Sequence, residues 1–463
     1  MGERTDGSVV TDDGASDATR TGRAALHSIA GGVLGGLVAA AFVVAVTTMI
    51  KELLAWVLRQ EEWVLFTAPF VGLAIAVAVL HLIAHGHAVQ RVVDDVAPPR
   101  RFTAWLRFPA NAVRADLTSD VVNNAGREEQ FPWRLAPIRG AAILATVGLG
   151  APMGTESPAA HLGVAAGAAL EAGGGRWRRL ARPAAVGGGA AGIAALMGLP
   201  LVGVAFMLEL GRRSRAPITV PRVLAATGGA LVGWAFNQLL GLNLIRLIVP
   251  TIPPRDLLQA LATATLVGAL SGALCSVTGT AIYRARAWSA GPLTRLLLGG
   301  AAIAGCALAI RGLATPAAAV GPGATAVSWA EASNASAWTL LAVAGLRAVA
   351  TTAAVAAGGC GGVFVPFLSI GDLCGRALAP GLGATSELTA AAGAAGGIAG
   401  GYRLPITAMA MVVAVGGPAS ARLTCVATVA CAAASGVVVA YLLDRLSARR
   451  ALGPAPGSAG ATD

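Results

Sequence analysis

The chain has almost no lysine: Lys51 is the sole example in 463 residues. Charge of either sign is scarce at 12%, and aromatic residues reach only 5%, with three tyrosines. Hydrophobic residues make up 56% and mean hydropathy is +0.70. A chain so poor in charge cannot be a water-soluble globule, because a globule could not bury that much apolar surface. The lysine deficit, beside an excess of Ala, Gly and Arg, reads as compositional bias, so a helical glycine standing alone carries little weight.

Cysteine is also sparse. Cys275, Cys306, Cys360, Cys374, Cys425 and Cys431 all lie in apolar segments without CxxC spacing, which suits small buried hydrophobes and argues against disulfides or metal ligands. HExxH and GxSxG arrangements are missing, which sets an intramembrane enzyme aside; no cofactor is implied. The net charge of +11 arises from 34 basic and 23 acidic residues. Its arginines gather between apolar runs, as in Arg91 to Arg114, Arg176 to Arg182, Arg284 and Arg286, and Arg445 to Arg450. The positive-inside rule places those stretches and both termini in the cytoplasm, without any need for nucleic acid.

What the chain does have is a series of apolar runs, at about 26–50, 64–90, 140–153, 184–208, 223–243, 257–281, 293–310, 339–371, 387–416 and 422–443. Many approach the ~20 residues that cross a bilayer. The expected organisation is a disordered cytoplasmic tail over 1–24, one all-α membrane domain over 25–445, and a short tail over 446–463. The stretch 312–338, with turn formers and the lone acid Glu331, suits a non-cytoplasmic loop.

A repeat runs through the domain. Pro158 is followed by Gly163, Gly167 and Leu170, and Pro366 at identical offsets by Gly371, Gly375 and Leu378. Gly192-Ile193-Ala194 precedes Pro200 by the same spacing that separates Gly397-Ile398-Ala399 from Pro405. The repeats are expected over about 25–215 and 220–445. Apolar segments broken by Gly and Pro free backbone groups that lipid cannot satisfy, so they must line a protein-enclosed cavity. Paired broken helices in two halves fit transporters that bind ions near the bilayer midplane, and helix N-termini there suit an anion.

At this point the sequence resembles the chloride channel and transporter family, the CLC proteins, whose signatures are GREGP in the first half and GGxFxP in the second. Gly361-Gly362-Val363-Phe364-Val365-Pro366 keeps the second in full. Gly154-Thr155-Glu156-Ser157-Pro158 keeps the glycine, glutamate and proline of the first. The resemblance covers about Ala25 to Arg445 and implies a two-repeat, inverted-topology bundle with many tilted and broken helices. It implies anion binding around Gly154, Thr155, Ser157, Gly362, Val363, Phe364 and Val365, with the amides of Val363 and Phe364 on the central anion. Glu156 is then the gate: it blocks the outer site when charged and leaves when protonated or displaced. Read without the family, Glu156 is a carboxylate at a helix start, costing on the order of 3 kcal/mol at membrane depth, and a plain capping role is the alternative.

Further positions depart from the family pattern. Gly198-Leu199-Pro200-Leu201-Val202-Gly203 to Phe206 and Glu209 resembles its NAPLAGxxFxxE region, which makes Glu209 a structural carboxylate. Many proton-coupled members have a second glutamate at the next position, a proton relay lost here to Leu210. The family's GSGIP serine finds its nearest counterpart in Gly86-His87-Ala88-Val89, so His87 is a candidate anion ligand; alternatively His81, His85 and His87 mark the polar end of a helix. His81 and His85 have metal-compatible spacing but no third ligand nearby. Tyr441 is the candidate for the family's central tyrosine, or an ordinary interface residue, and His161 reads as helix packing. The expected substrate is chloride, with fluoride, nitrate or an organic anion as alternatives, with passive conduction and proton exchange both open, in a likeness that implies a homodimer.

Overall fold

The computed structural model describes residues 13–83, 117–241 and 249–452. Sixteen α-helices stand among them: α1 Asp13–Leu58, α2 Glu62–Ile83, α3 Leu117–Asn123, α4 Ala136–Gly148, α5 Glu156–Ala168, α6 Gly175–Met197, α7 Pro200–Arg213 and α8 Val220–Leu240 come first. They are followed by α9 Leu257–Ala287, α10 Pro292–Leu313, α11 Ala324–Ala332, α12 Ala337–Ala356, α13 Phe364–Leu382, α14 Ser386–Tyr402, α15 Pro405–Val415 and α16 Leu423–Leu452. Eight helices are long and apolar enough to cross a membrane, and the protein is a multi-pass, all-helical membrane protein.

The apolar runs of the sequence are longer than the helices they form, because the broken points interrupt them. The run at 184–208 divides at Gly198, which adopts a left-handed conformation (φ 69°) before Pro200 opens α7. The run at 387–416 divides in the same way at Arg403 (φ 57°) before Pro405 opens α15. Proline suits the first turn of each second helix, where its missing N–H leaves no hydrogen bond unmade. The run at 339–371 divides between α12 and α13 across Ala357–Val363, a glycine-rich linker.

Two further expectations shift. The stretch 312–338 is not a bare loop, since it carries α11. Helix α1 begins at Asp13, inside the stretch expected as a tail.

Helices α1, α6 and α8 pack together in the first half, and α9, α14 and α16 in the second. Against these bundles lie α5, on α6, and α13, on α14. The repeated glycines explain both crossings. A Cβ on Gly163 would stand 2.2 Å from the Gly188 carbonyl oxygen, and one on Gly371 2.2 Å from that of Gly393. One turn further on, a Cβ on Gly167 or Gly375 would likewise run into the carbonyl oxygen of Ala184 or Thr389. In lipid, where apolar burial does not drive helices together, small-xxx-small faces permit the close backbone approach that dispersion requires. These crossings hold the N-termini of α5 and α13 deep inside the protein.

Candidate functional site

The segments leading into α5 and α13 meet at a single antiparallel bridge. Gly154 N donates to Gly362 O and Gly362 N to Gly154 O, both at 2.7 Å. Two helix N-termini therefore face one buried point. Three other helix starts carry side-chain caps, Thr219 accepting from Arg222 N, Ser336 from Thr339 N and Thr385 from Leu388 N, whereas the residues preceding α4, α6, α7, α9, α10 and α11 supply none. The residues preceding α5 and α13, Thr155 and Val363, supply no such cap. Each start leaves orphan N–H groups, which need another acceptor when buried.

Two of the protein's own side chains approach these starts. Glu156 is 2% exposed, and its carboxylate faces the backbone amides of Glu156, Val365 and Thr155. Its Oε1 accepts from the Thr155 hydroxyl at 3.3 Å, whereas Oε2 is buried without a full hydrogen bond of its own. The carboxylate folds back over Gly154, where a Cβ would lie 2.5 Å from Oε2. Glycine at 154 is thus required by the Glu156 conformation itself.

The second is Tyr402, at the end of α14. Its hydroxyl accepts from Val363 N at 3.3 Å and lies 3.1 Å from Ser157 Oγ, which also receives the Thr118 hydroxyl at 3.0 Å. The Tyr402 ring rests on Phe364, with centroids 4.3 Å apart, and meets Phe367 edge-on at 5.6 Å; Phe206 flanks Phe364 from the other side at 5.6 Å. The site thus joins α3, α5, α7, α13 and α14 through amides, hydroxyls and aromatic faces. Converging donors and positive helix ends in a buried space are suited to a small anion.

Of the residues named from the sequence, Gly154, Thr155, Glu156, Ser157, Gly362, Val363, Phe364 and Val365 come together here. Tyr441 does not. It stands 54% exposed on α16, which runs on without turning back toward the site, and Tyr402 supplies the phenol instead. His87 lies outside the described residues; among the described ones Thr118, at the start of α3, brings a hydroxyl to Ser157. Thr118 and Tyr402 were missed. A polar aromatic just before the Arg403-Leu404-Pro405 break, which matches the Gly198-Leu199-Pro200 break of the first repeat, was the available signal for Tyr402.

Neighbouring groups brace the site. Glu209 accepts from Ile406 N at 3.0 Å, Thr407 N at 2.7 Å and the Thr407 hydroxyl at 2.6 Å, so it caps α15 from α7. Leu210 is 1% exposed within the apolar core. His161 is fully buried one turn after Ser157, where its Nε2 accepts from Arg139, itself 2.6 Å from Asp120. Arg347 is 1% exposed and donates to the carbonyls of Ala318 (2.6 Å) and Gly321 (2.9 Å), while Gly321 N bonds Gly150 O just ahead of Glu156. Among the described residues no His, Cys, Asp or Glu cluster suits a metal.

Comparison with known proteins agrees with this architecture. The sequence model of the voltage gated chloride channel family matches residues 103–439. The H(+)/Cl(-) exchange transporter ClcA of Yersinia pestis bv. Antiqua (strain Angola) is 27% identical over 308 residues, covering 62% of each chain. The ClcA of Salmonella paratyphi A is 28% identical over 254 residues, covering 53% of this chain and 52% of the other. The chain thus spans under two thirds of the length of these curated relatives. A slow cyanobacterial Cl-/H+ antiporter superimposes with a TM-score of 0.65 at 20% identity, covering 94% of this chain and 99% of the other. A CLC-type fluoride/proton antiporter does so with 0.63 at 21% identity, over 92% and 96%. These solved structures share the fold. With the signatures around Glu156 and Phe364 and a family match across most of its length, the chain belongs to the voltage gated chloride channel family.

Proposed function

We propose that the protein carries small anions, chloride foremost, across the membrane through the site between α5 and α13, with Glu156 as the gate. The observation that carries this reading is a buried carboxylate lodged among the amides of two uncapped, opposed helix starts. A carboxylate in that place is a tethered anion, and a free anion of similar charge competes for the same N–H groups. Charged Glu156 closes the outer site; protonation or displacement removes it. Gly154, Thr155, Ser157, Gly362, Val363, Phe364 and Val365 form the binding surface, with Thr118 and Tyr402 adding hydroxyls.

Proton coupling is the second reading. The names of the relatives, Cl-/H+ and fluoride/proton antiporters among them, favour it. Leu210 opposes it, since an apolar side chain buried where a relay acid would stand cannot hold a proton. The arginine-rich stretches support a cytoplasmic position for both termini, and the family likeness supports a homodimer with one pathway in each subunit. The two repeats, about 25–215 and 220–445, then act as the two halves of each pathway.

Efflux from proteoliposomes, compared for chloride, fluoride and nitrate while proton movement is recorded, tests the assignment. Chloride efflux above that of protein-free vesicles is expected. Flux of none of the three anions would overturn the function, and proton uptake driven by a chloride gradient would replace passive conduction with exchange.

A further inference from the structure

At one end of the first repeat the protein gathers more positive charge than its own carboxylates balance. Arg182, in the second turn of α6, and Arg222, at the start of α8, share the buried carboxylate of Glu128 at 3.6 and 2.8 Å. A Cβ on Gly211 would stand 2.7 Å from the Arg222 guanidinium. The starts of the spans α6 and α8 and the end of α7 therefore meet at one place. Around it Arg178, Arg179, Arg212, Arg213 and Arg215 are exposed. Arg178 reaches Glu171 at 3.8 Å, whereas the other four form no ion pair among the described residues. Arg215 carries a further sign. Its φ is 61°, because α7 ends in a turn where Arg215 N bonds Arg212 O and Ala216 N bonds Gly211 O, a geometry that glycine fills without strain. At Arg403, the other described non-glycine residue with a positive φ, a forked pair with Asp444 offsets the strain. Arg215 has no such partner, so its charged side chain stands there against the preference of the backbone. The fold itself does not need arginine here: in the second repeat α14 opens with Ser386-Glu387 and α15 runs into Gly416-Gly417. Beside the arginines Ile218, Val220 and Trp177 are exposed as well.

We propose that this face docks the headgroup of an anionic phospholipid, its phosphate held by the guanidinium groups and its acyl chains lying over Ile218, Val220 and Trp177. Guanidinium forks match phosphate oxygens, and basic clusters at the ends of membrane spans recognise anionic lipid. Indole and aliphatic groups next to them suit the boundary between headgroups and hydrocarbon. That apolar rim favours a lipid over a soluble anion, which would leave it uncovered. The face lies apart from Glu156, and the proposal does not depend on the anion-transport reading.

Electron paramagnetic resonance of full-length protein in phosphatidylcholine vesicles tests this, with a trace of spin-labelled phosphatidylglycerol or, in parallel, spin-labelled phosphatidylcholine. The protein-restricted fraction should be at least twofold larger for phosphatidylglycerol. The triple variant Arg212→Gln, Arg213→Gln, Arg215→Gly should lose most of that excess, whereas Arg255→Gln, which removes an exposed charge ahead of α9, should keep it. Arg215→Gly alone should lower the excess while its melting temperature holds or rises, since glycine relieves the turn, so the loss is not one of folding. Millimolar inorganic phosphate should leave the excess in place; its displacement by phosphate would make the face a site for a soluble anion and overturn the lipid assignment. Equal restriction of the two lipids by the unaltered protein would overturn the proposal. So would an excess that survives the triple variant, or one that Arg255→Gln removes equally.

Discussion

At the scale of single residues, the site is a set of donors whose acceptors are supplied internally. Gly154 is the smallest lever on it. Because a Cβ there would lie 2.5 Å from Glu156 Oε2, Gly154→Ala should push the carboxylate off the amides and raise chloride efflux at neutral external pH several-fold, in protein of normal yield. Equal efflux in the two proteins would show that the carboxylate does not occupy the path. Arg347→Met should lower thermal stability by about 1–3 kcal/mol, since it leaves buried carbonyls at Ala318 and Gly321 without donors; denaturation followed by size-exclusion chromatography reads this. The residues of the two signatures were legible in the sequence because glycine, glutamate and proline at fixed spacing state a backbone requirement. Tyr402 and Thr118 were not, because they reach the site through helix packing and turn geometry, which no local pattern encodes. Tyr441 misled through its place in the final helix alone.

Among the elements, the glycine-lined crossings and the capped breaks do the positioning. Gly371→Val would place branched carbon against the Gly393 backbone, already only 2.2 Å from a Cβ, and overpacking of this kind costs about 1–3 kcal/mol or more. The expected result is a fall in melting temperature together with loss of flux, and the same substitution at Gly163 should behave alike. Glu209→Ala removes three hydrogen bonds that cap α15. It should cost about 1–2 kcal/mol of stability and change external pH dependence little, which distinguishes a brace from a gate; a flattened pH profile in this variant would contradict the capping role. The helix breaks were visible beforehand as paired Gly and Pro positions in two repeats. The exact course of α16 was not, since nothing in a long apolar run announces whether it turns back or continues.

For the whole molecule, scarcity of charge fixed the membrane and the repeated breaks fixed the class of fold, before any site was considered. Composition could not choose the anion or the coupling, because chloride, fluoride and nitrate would all meet the same amides and hydroxyls, and because Leu210 and the names of the relatives point in opposite directions. The proposed function requires Glu156 to be a tethered anion in the conduction path. Its most direct test is chloride efflux from proteoliposomes across external pH for the unaltered protein and for Glu156→Gln. The unaltered protein should carry more chloride as external pH falls, because protonation frees the carboxylate from the amides. Glu156→Gln should be folded, active and flat across the same range. A Gln variant that keeps the original pH dependence would contradict the gate.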